Sequence, residues 1–135
     1  MNDTISRLRD AMNGHDVEGM IALFDPNYRS EQPVHPQRGF GGREQVAVNW
    51  GRMFDGAPDL EVGVVKEATD GTTSWSEWVW RGSHRDGAPF MMKGVTVMGL
   101  GDDGLIKWAR LYMEPVEQSG AGIDDAVRHL SGSSG

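Results

Sequence analysis

The chain has 135 residues, a formal net charge of −7, no cysteine, five tryptophans and eight methionines. That length makes one domain, read as residues 1–130 followed by a disordered tail at 131–135. The acidic balance, without any lysine- or arginine-rich run, argues against nucleic acid and anionic membrane partners. The absence of cysteine removes disulfides, thiolate catalysis and zinc-thiolate sites.

MNDTISRLRD has no apolar secretory core, and no apolar run is long enough to span a bilayer, so a cytoplasmic protein is the simplest expectation. Residues 3–13 have helical spacing of Ile5, Leu8 and Met12, with Asp3 or Thr4 as cap and Asn13-Gly14 as stop. Asp16 caps a second helix whose apolar face is Val17, Met20, Ile21 and Phe24, ended by Asp25-Pro26. Residues 27–32 form a short strand, and 33–42, with two prolines and three glycines, form a loop. A third helix runs from about Arg43 to Phe54 with a stripe of Val46, Trp50, Met53 and Phe54.

Three Asp-Gly pairs then follow, at Asp70-Gly71, Asp86-Gly87 and Asp103-Gly104. Asp-Gly between strand-like runs marks hairpins. Three hairpins predict four long antiparallel strands, about 59–69, 72–84, 88–101 and 104–114. A long twisted meander curls. Its hollow side is filled by the helices of the first half, which gives an α+β fold with helices on one face of an antiparallel sheet. Residues 123–130 carry a further short amphipathic turn or helix.

Strict two-residue turns would pair residue 78 with 95 and residue 96 with 111, which sets Trp78 and Thr96 on opposite faces. A single bulge or a longer loop reverses that parity, and the glycine-rich GSHRDGAP and GLGDDG favour the reversal.

The stretches NGHDVEGMIALFDPNY, GFGGREQV, WVWRGSH, KGVTVMGLGDDG and IKWARLYMEP, in this order, resemble the nuclear transport factor 2-like superfamily. Its members include SnoaL-like polyketide cyclases, ketosteroid isomerases and limonene epoxide hydrolases. The resemblance implies a cone-shaped curved sheet wrapped around N-terminal helices (a cystatin-like α+β barrel), an internal apolar pocket and a homodimer.

It does not carry over the usual acid–base groups. Where ketosteroid isomerases hold two aspartates and a tyrosine, this chain resembles them only in position, with Gln32, Thr96 and Leu8. The SnoaL-type aspartate position is again Thr96, and the nearby histidine resembles His84. Of the epoxide hydrolase charged set, two positions are Trp78 and Trp80, and Glu114 alone is a carboxylate.

Glu114 is therefore the candidate acid–base residue. Burial beside Trp78, Trp80 and Tyr112 would raise its pKa. Tyr112 and His35 are expected to assist. Trp50, Trp78 and Trp80 would form an aromatic wall, with Gln32, His84 and Thr96 orienting a ligand. Glu77, facing opposite to Trp78, is read as outward, and Glu31, His15 and His129 as solvated or structural. With no ligand spacing of the HExxH type and no phosphate-loop or dinucleotide motif, neither a metal nor a cofactor is expected. Two readings stand: an enzyme acting on a small hydrophobic metabolite by acid–base chemistry at Glu114, or a non-catalytic ligand-binding or dimerisation module.

Overall fold

The computed structural model describes residues 1–132. The order of elements is α1 (Asp3–Asn13), α2 (Val17–Ile21), β1 (Phe24–Glu31), a short 3-10 turn (Pro36–Arg38), β2 (Phe40–Gly41), α3 (Arg43–Gly56), β3 (Glu61–Asp70), β4 (Thr73–Ser83), β5 (Pro89–Leu100), β6 (Ile106–Pro115) and α4 (Ile123–Ser131). One six-stranded sheet runs β2-β1-β6-β5-β4-β3. It is curved and open, with the N-terminal helices in its hollow, so the α+β expectation holds.

The four-strand meander lies within two residues of its predicted bounds. Two features differ. The second helix stops at Ile21, and Phe24 opens β1 instead of closing that helix. Strand β1 also pairs with β6 in parallel, from Phe24 opposite Ile106 to Glu31 opposite Arg110. The pairing is interrupted between Phe24 and Arg29, where Pro26 lacks an amide hydrogen. The parallel pair sends the C-terminal ends of β1 and β6 to the same rim of the sheet.

The turns explain the sheet's parity. Gly71 and Thr72 form a two-residue turn with Gly71 at φ +60°. The other two Asp-Gly pairs do not make two-residue turns. In each, the amide two residues after the aspartate donates to its side chain, at 2.9 Å for Ala88 on Asp86 and 3.0 Å for Leu105 on Asp103. Gly87 and Gly104 take φ +86° and +79°, which adds a glycine bulge to each hairpin. The extra residue pairs Trp78 with Gly94 and Ser76 with Thr96. Trp78 and Thr96 therefore share a face, as the reversed register requires. On β6 a second irregularity at Lys107 restores the original count, so Thr96 still faces Leu111.

Strands β5 and β6 approach each other closely at Gly94. A Cβ on Gly94 would stand against the Tyr112 carbonyl and 2.8 Å from the Met113 Cα, so only glycine fits.

Local details of the helices correct two expected caps. Asn2, not Asp3 or Thr4, caps α1, its side chain accepting from the Thr4 amide at 2.9 Å. The left-handed residue after α1 is His15 (φ 51°) rather than Gly14. Its ring makes that conformation worthwhile: Nε2 donates to the Leu60 carbonyl at 2.8 Å, and the ring stacks on Phe54 at 4.3 Å. Asn13 meanwhile pairs with the backbone of edge strand β3, bonding Val62 N–H and C=O at 2.7 and 3.0 Å.

Helix α4 includes Ser131, the first residue assigned to the expected tail. Residues 133–135 lie outside the described residues. Among the described residues, no helix is long and apolar enough to cross a membrane.

Candidate functional site

The hollow side of the sheet is not filled completely. A cavity of about 180 Å³ remains between α1, α2, α3 and the strands. That is close to the ~150 Å³ apolar void that accepts a benzene ring, and below the ~300 Å³ of a site for drug-sized ligands.

Its walls come from simple periodicities. Strand β4 points Ser74, Ser76, Trp78 and Trp80 inward, all buried, while Trp75 and Glu77 between them are exposed. Strand β5 contributes Thr96 and Met98, and β6 contributes Leu111. Helix α3 supplies Val46, Asn49, Trp50 and Met53, one turn apart along its inner side. Trp50 meets Trp80 edge-on at 5.1 Å, which joins helix and sheet in one aromatic wall. The Trp80 Nε1 is buried with no acceptor among the described residues.

The polar groups on the cavity wall are neutral. Tyr28, Ser30 and Gln32 alternate along β1 and just past its end, so all three face inward. Burial pushes the Tyr28 hydroxyl up to about 12, with a hydrogen bond from Ser30 acting against it. Thr96 bonds Ser76 at 3.0 Å, and Trp78 Nε1 donates to Ser76 at 2.8 Å. Arg38 donates to the Gln32 side chain at 3.1 Å at the mouth. Among the described residues, Tyr28 is the one titratable side chain that lines the cavity, and no cluster of histidine and carboxylate side chains suits a metal ion.

The structure brings together Gln32, Trp50, Trp78, Trp80 and Thr96, and leaves four predicted site residues outside. On β6 the inward positions are Ala109, Leu111 and Met113, so alternation turns Tyr112 and Glu114 to the convex face. The burial expected of Glu114 beside the indoles is not there: 47% of its side chain is exposed, and it pairs with His35 at 2.7 Å. His35 sits on the rim, its amide bonded to the Gln32 carbonyl at 2.8 Å. His84 is exposed in the β4–β5 turn against Phe90. Glu77 points outward as expected.

Sequence reasoning missed Tyr28, Ser30, Asn49 and Ser76. The first two had a usable signal, since Tyr28, Ser30 and Gln32 follow period two within the predicted strand.

Comparison with known proteins agrees with this geometry. The sequence profile of the SnoaL-like domain matches residues 5–109. The fold is similar to that of IdmH, a candidate polyketide cyclase from Streptomyces antibioticus, at 23% identity over 83% of this chain and 90% of that one, with a TM-score of 0.73. A candidate SnoaL-like polyketide cyclase from Jannaschia is 24% identical over 83% of each chain, with a TM-score of 0.71. A protein of ketosteroid isomerase-like fold from Catenulispora acidiphila, crystallised with trimethylamine, is 17% identical over 80% of this chain and 82% of that one, with a TM-score of 0.70. At these identities the likeness establishes the fold. Comparison with curated proteins finds no match.

Proposed function

The chain belongs to the SnoaL-like domain family, and we propose that its cavity binds a small, uncharged, mostly apolar organic molecule without acid–base conversion. The observation that carries this reading is the wall itself. It combines indoles and methionines with hydroxyl and amide groups, and its one titratable side chain, Tyr28, stays neutral far above physiological pH. General acid–base catalysis needs a group whose pKa lies near the working pH and within reach of the ligand. Glu114 and His35 lie outside the wall.

Three tryptophans line the cavity, so their emission reports occupancy. Saturable emission changes are expected with compact uncharged molecules of roughly six to ten heavy atoms, a size set by the benzene-sized void. Glu114→Gln is expected to leave that binding unchanged. Absence of any saturable response, or turnover of a bound compound that Glu114→Gln abolishes, would overturn the reading.

The second outcome would favour isomerase-, cyclase- or hydrolase-type chemistry. The observation on that side is the His35–Glu114 pair, which stands at the mouth next to Gln32.

A homodimer and a cytoplasmic location belong to the same proposal. Trp75 and Tyr112 are about two-fifths exposed on the convex face, beside Val95 and among Glu77, Lys93 and Arg110. Exposed aromatics set among charges of both signs suit a second copy of the same face. Trp75→Glu should convert a dimer to a monomer in light scattering; a wild-type monomer at high concentration would exclude the dimer.

A further inference from the structure

We infer that Trp78, Ser76 and Thr96 form a one-way hydrogen-bond relay that presents the Thr96 hydroxyl hydrogen to an acceptor oxygen on the bound molecule. This rests on the cavity being a binding site, and it narrows the ligand class to compact apolar molecules carrying a carbonyl or ether oxygen.

Register builds the relay. Ser76 and Thr96 stand opposite each other on β4 and β5, and Trp78 lies two residues along the same face. Trp78, Ser76 and Thr96 are 1%, 1% and 2% exposed, so water does not compete for their bonds. The links are 2.8 Å from Trp78 Nε1 to Ser76 Oγ and 3.0 Å from Ser76 Oγ to Thr96 Oγ1.

Direction follows from valence together with position. An indole N–H donates and never accepts, so Ser76 Oγ must receive it. Between the two hydroxyls either hydrogen can point either way. If Thr96 donated to Ser76, the Ser76 oxygen would accept twice. Its own hydrogen would then be spare, with no acceptor among the described residues, and Ser76 does not line the cavity where a bound molecule could take it. In the order Trp78 to Ser76 to Thr96 the spare hydrogen sits instead on Thr96, which does line it.

That order leaves the Thr96 hydrogen unspent. Thr96 makes no other side-chain bond among the described residues, and it lines the cavity. Each link polarises the next, so the terminal hydroxyl is a stronger donor than an isolated threonine. No carboxylate among the described residues lines the wall to pair with a ligand cation. A carbonyl or ether oxygen completes the chain.

Cyclohexanone and methylenecyclohexane test this, because they share a shape and differ in the acceptor. Affinities are measured for wild type, Thr96→Val, Thr96→Ser and Ser76→Ala, and the indole N–H of Trp78 is followed by NMR. Thr96→Val is expected to weaken cyclohexanone about five- to tenfold, the worth of one hydrogen bond, and to change methylenecyclohexane by less than about twofold. Thr96→Ser should retain ketone binding. Ser76→Ala should weaken the ketone and move the Trp78 N–H upfield. In wild type, the ketone and not the alkene should move that proton downfield.

Equal losses of both probes in Thr96→Val, or a bound ketone that leaves the Trp78 proton unmoved, would overturn the relay while leaving the cavity reading intact. The wild-type proton shift decides the matter even if a variant fails to fold. Binding of neither probe to wild type would defeat the cavity reading itself, and the relay with it.

Discussion

The two faces of the sheet are written by alternate residues of the same strands, yet they have opposite chemistry. Inward stand Tyr28, Ser30, Ser76, Trp78, Trp80, Thr96, Leu111 and Met113. Outward stand Arg29, Glu31, Glu77, Lys93, Arg110, Tyr112 and Glu114. On the strands around the cavity, the charged positions fall on the outward parity. Burying an unpaired charge costs several kcal/mol, whereas a hydroxyl needs only one partner. A one-residue error in register would move the entire charged set into the hollow. The two glycine-bulged turns and the irregularity at Lys107 are thus what separates a neutral cavity from a charged one.

The sharpest way to break the contrast is to remove a wall. Trp78→Ala deletes a side chain that is 1% exposed, and should cost about 3–5 kcal/mol in denaturant unfolding. A smaller cost is expected from putting charge on the wrong face. Met113→Lys should destabilise by about 3 kcal/mol, while its neighbour Tyr112→Lys should stay within about 1 kcal/mol, because only the first is buried. Equal effects from the two would contradict the assigned alternation.

Gly94→Ala tests the close approach of β5 and β6. Its new methyl would press on the β6 backbone, and an overpacking cost of about 1–3 kcal/mol is expected.

The smallest effect belongs to the charged exterior. Lys107 Nζ bridges Asp25 at 2.7 Å and Asp103 at 2.9 Å, tying the start of β1 to the β5–β6 turn. The Lys107 hydrogen bond holds the Asp25 carboxyl below its ordinary value, and the Leu105 amide, then Lys107, does the same for Asp103. Depressed carboxyl pKa values stabilise the fold above the unfolded value, and that contribution is lost as pH falls through the folded one. The raised pKa of Lys107 acts at the other end, its share fading as pH climbs above 10.5. The stability gap between wild type and Lys107→Met should therefore be constant from about pH 5 to 9 and shrink below the ordinary aspartate value of 3.8. A gap that widened in acid would contradict the bridge.

Much of this was legible in the sequence, and the failures are instructive. Helical periodicity found α1 and α3, and the Asp-Gly pairs found the meander, because both signals are local. The strand character of Phe24 was hidden because a phenylalanine after Val17, Met20 and Ile21 fits a helix equally well. The parallel β1–β6 pairing joins segments some eighty residues apart, and no local pattern announces it. Trp78, Trp80 and Thr96 come to one face of the sheet because a glycine bulge sets their parity, and Trp50 meets them from the inner stripe of α3. Glu114 was misplaced for a related reason. Its proximity to the strand end and to Trp78 in the family pattern outweighed the plainer fact that Leu111 and Met113 claim the inward positions of that strand.

On the proposed reading, the cavity binds through neutral groups while the acid–base residues stand outside it. The most direct measurement is the affinity of wild-type protein for cyclohexanone across pH 5 to 9. Binding is expected not to vary with pH, in wild type and in Glu114→Gln alike. No binding at any pH, or a sigmoidal or bell-shaped dependence that vanishes in Glu114→Gln, would contradict it.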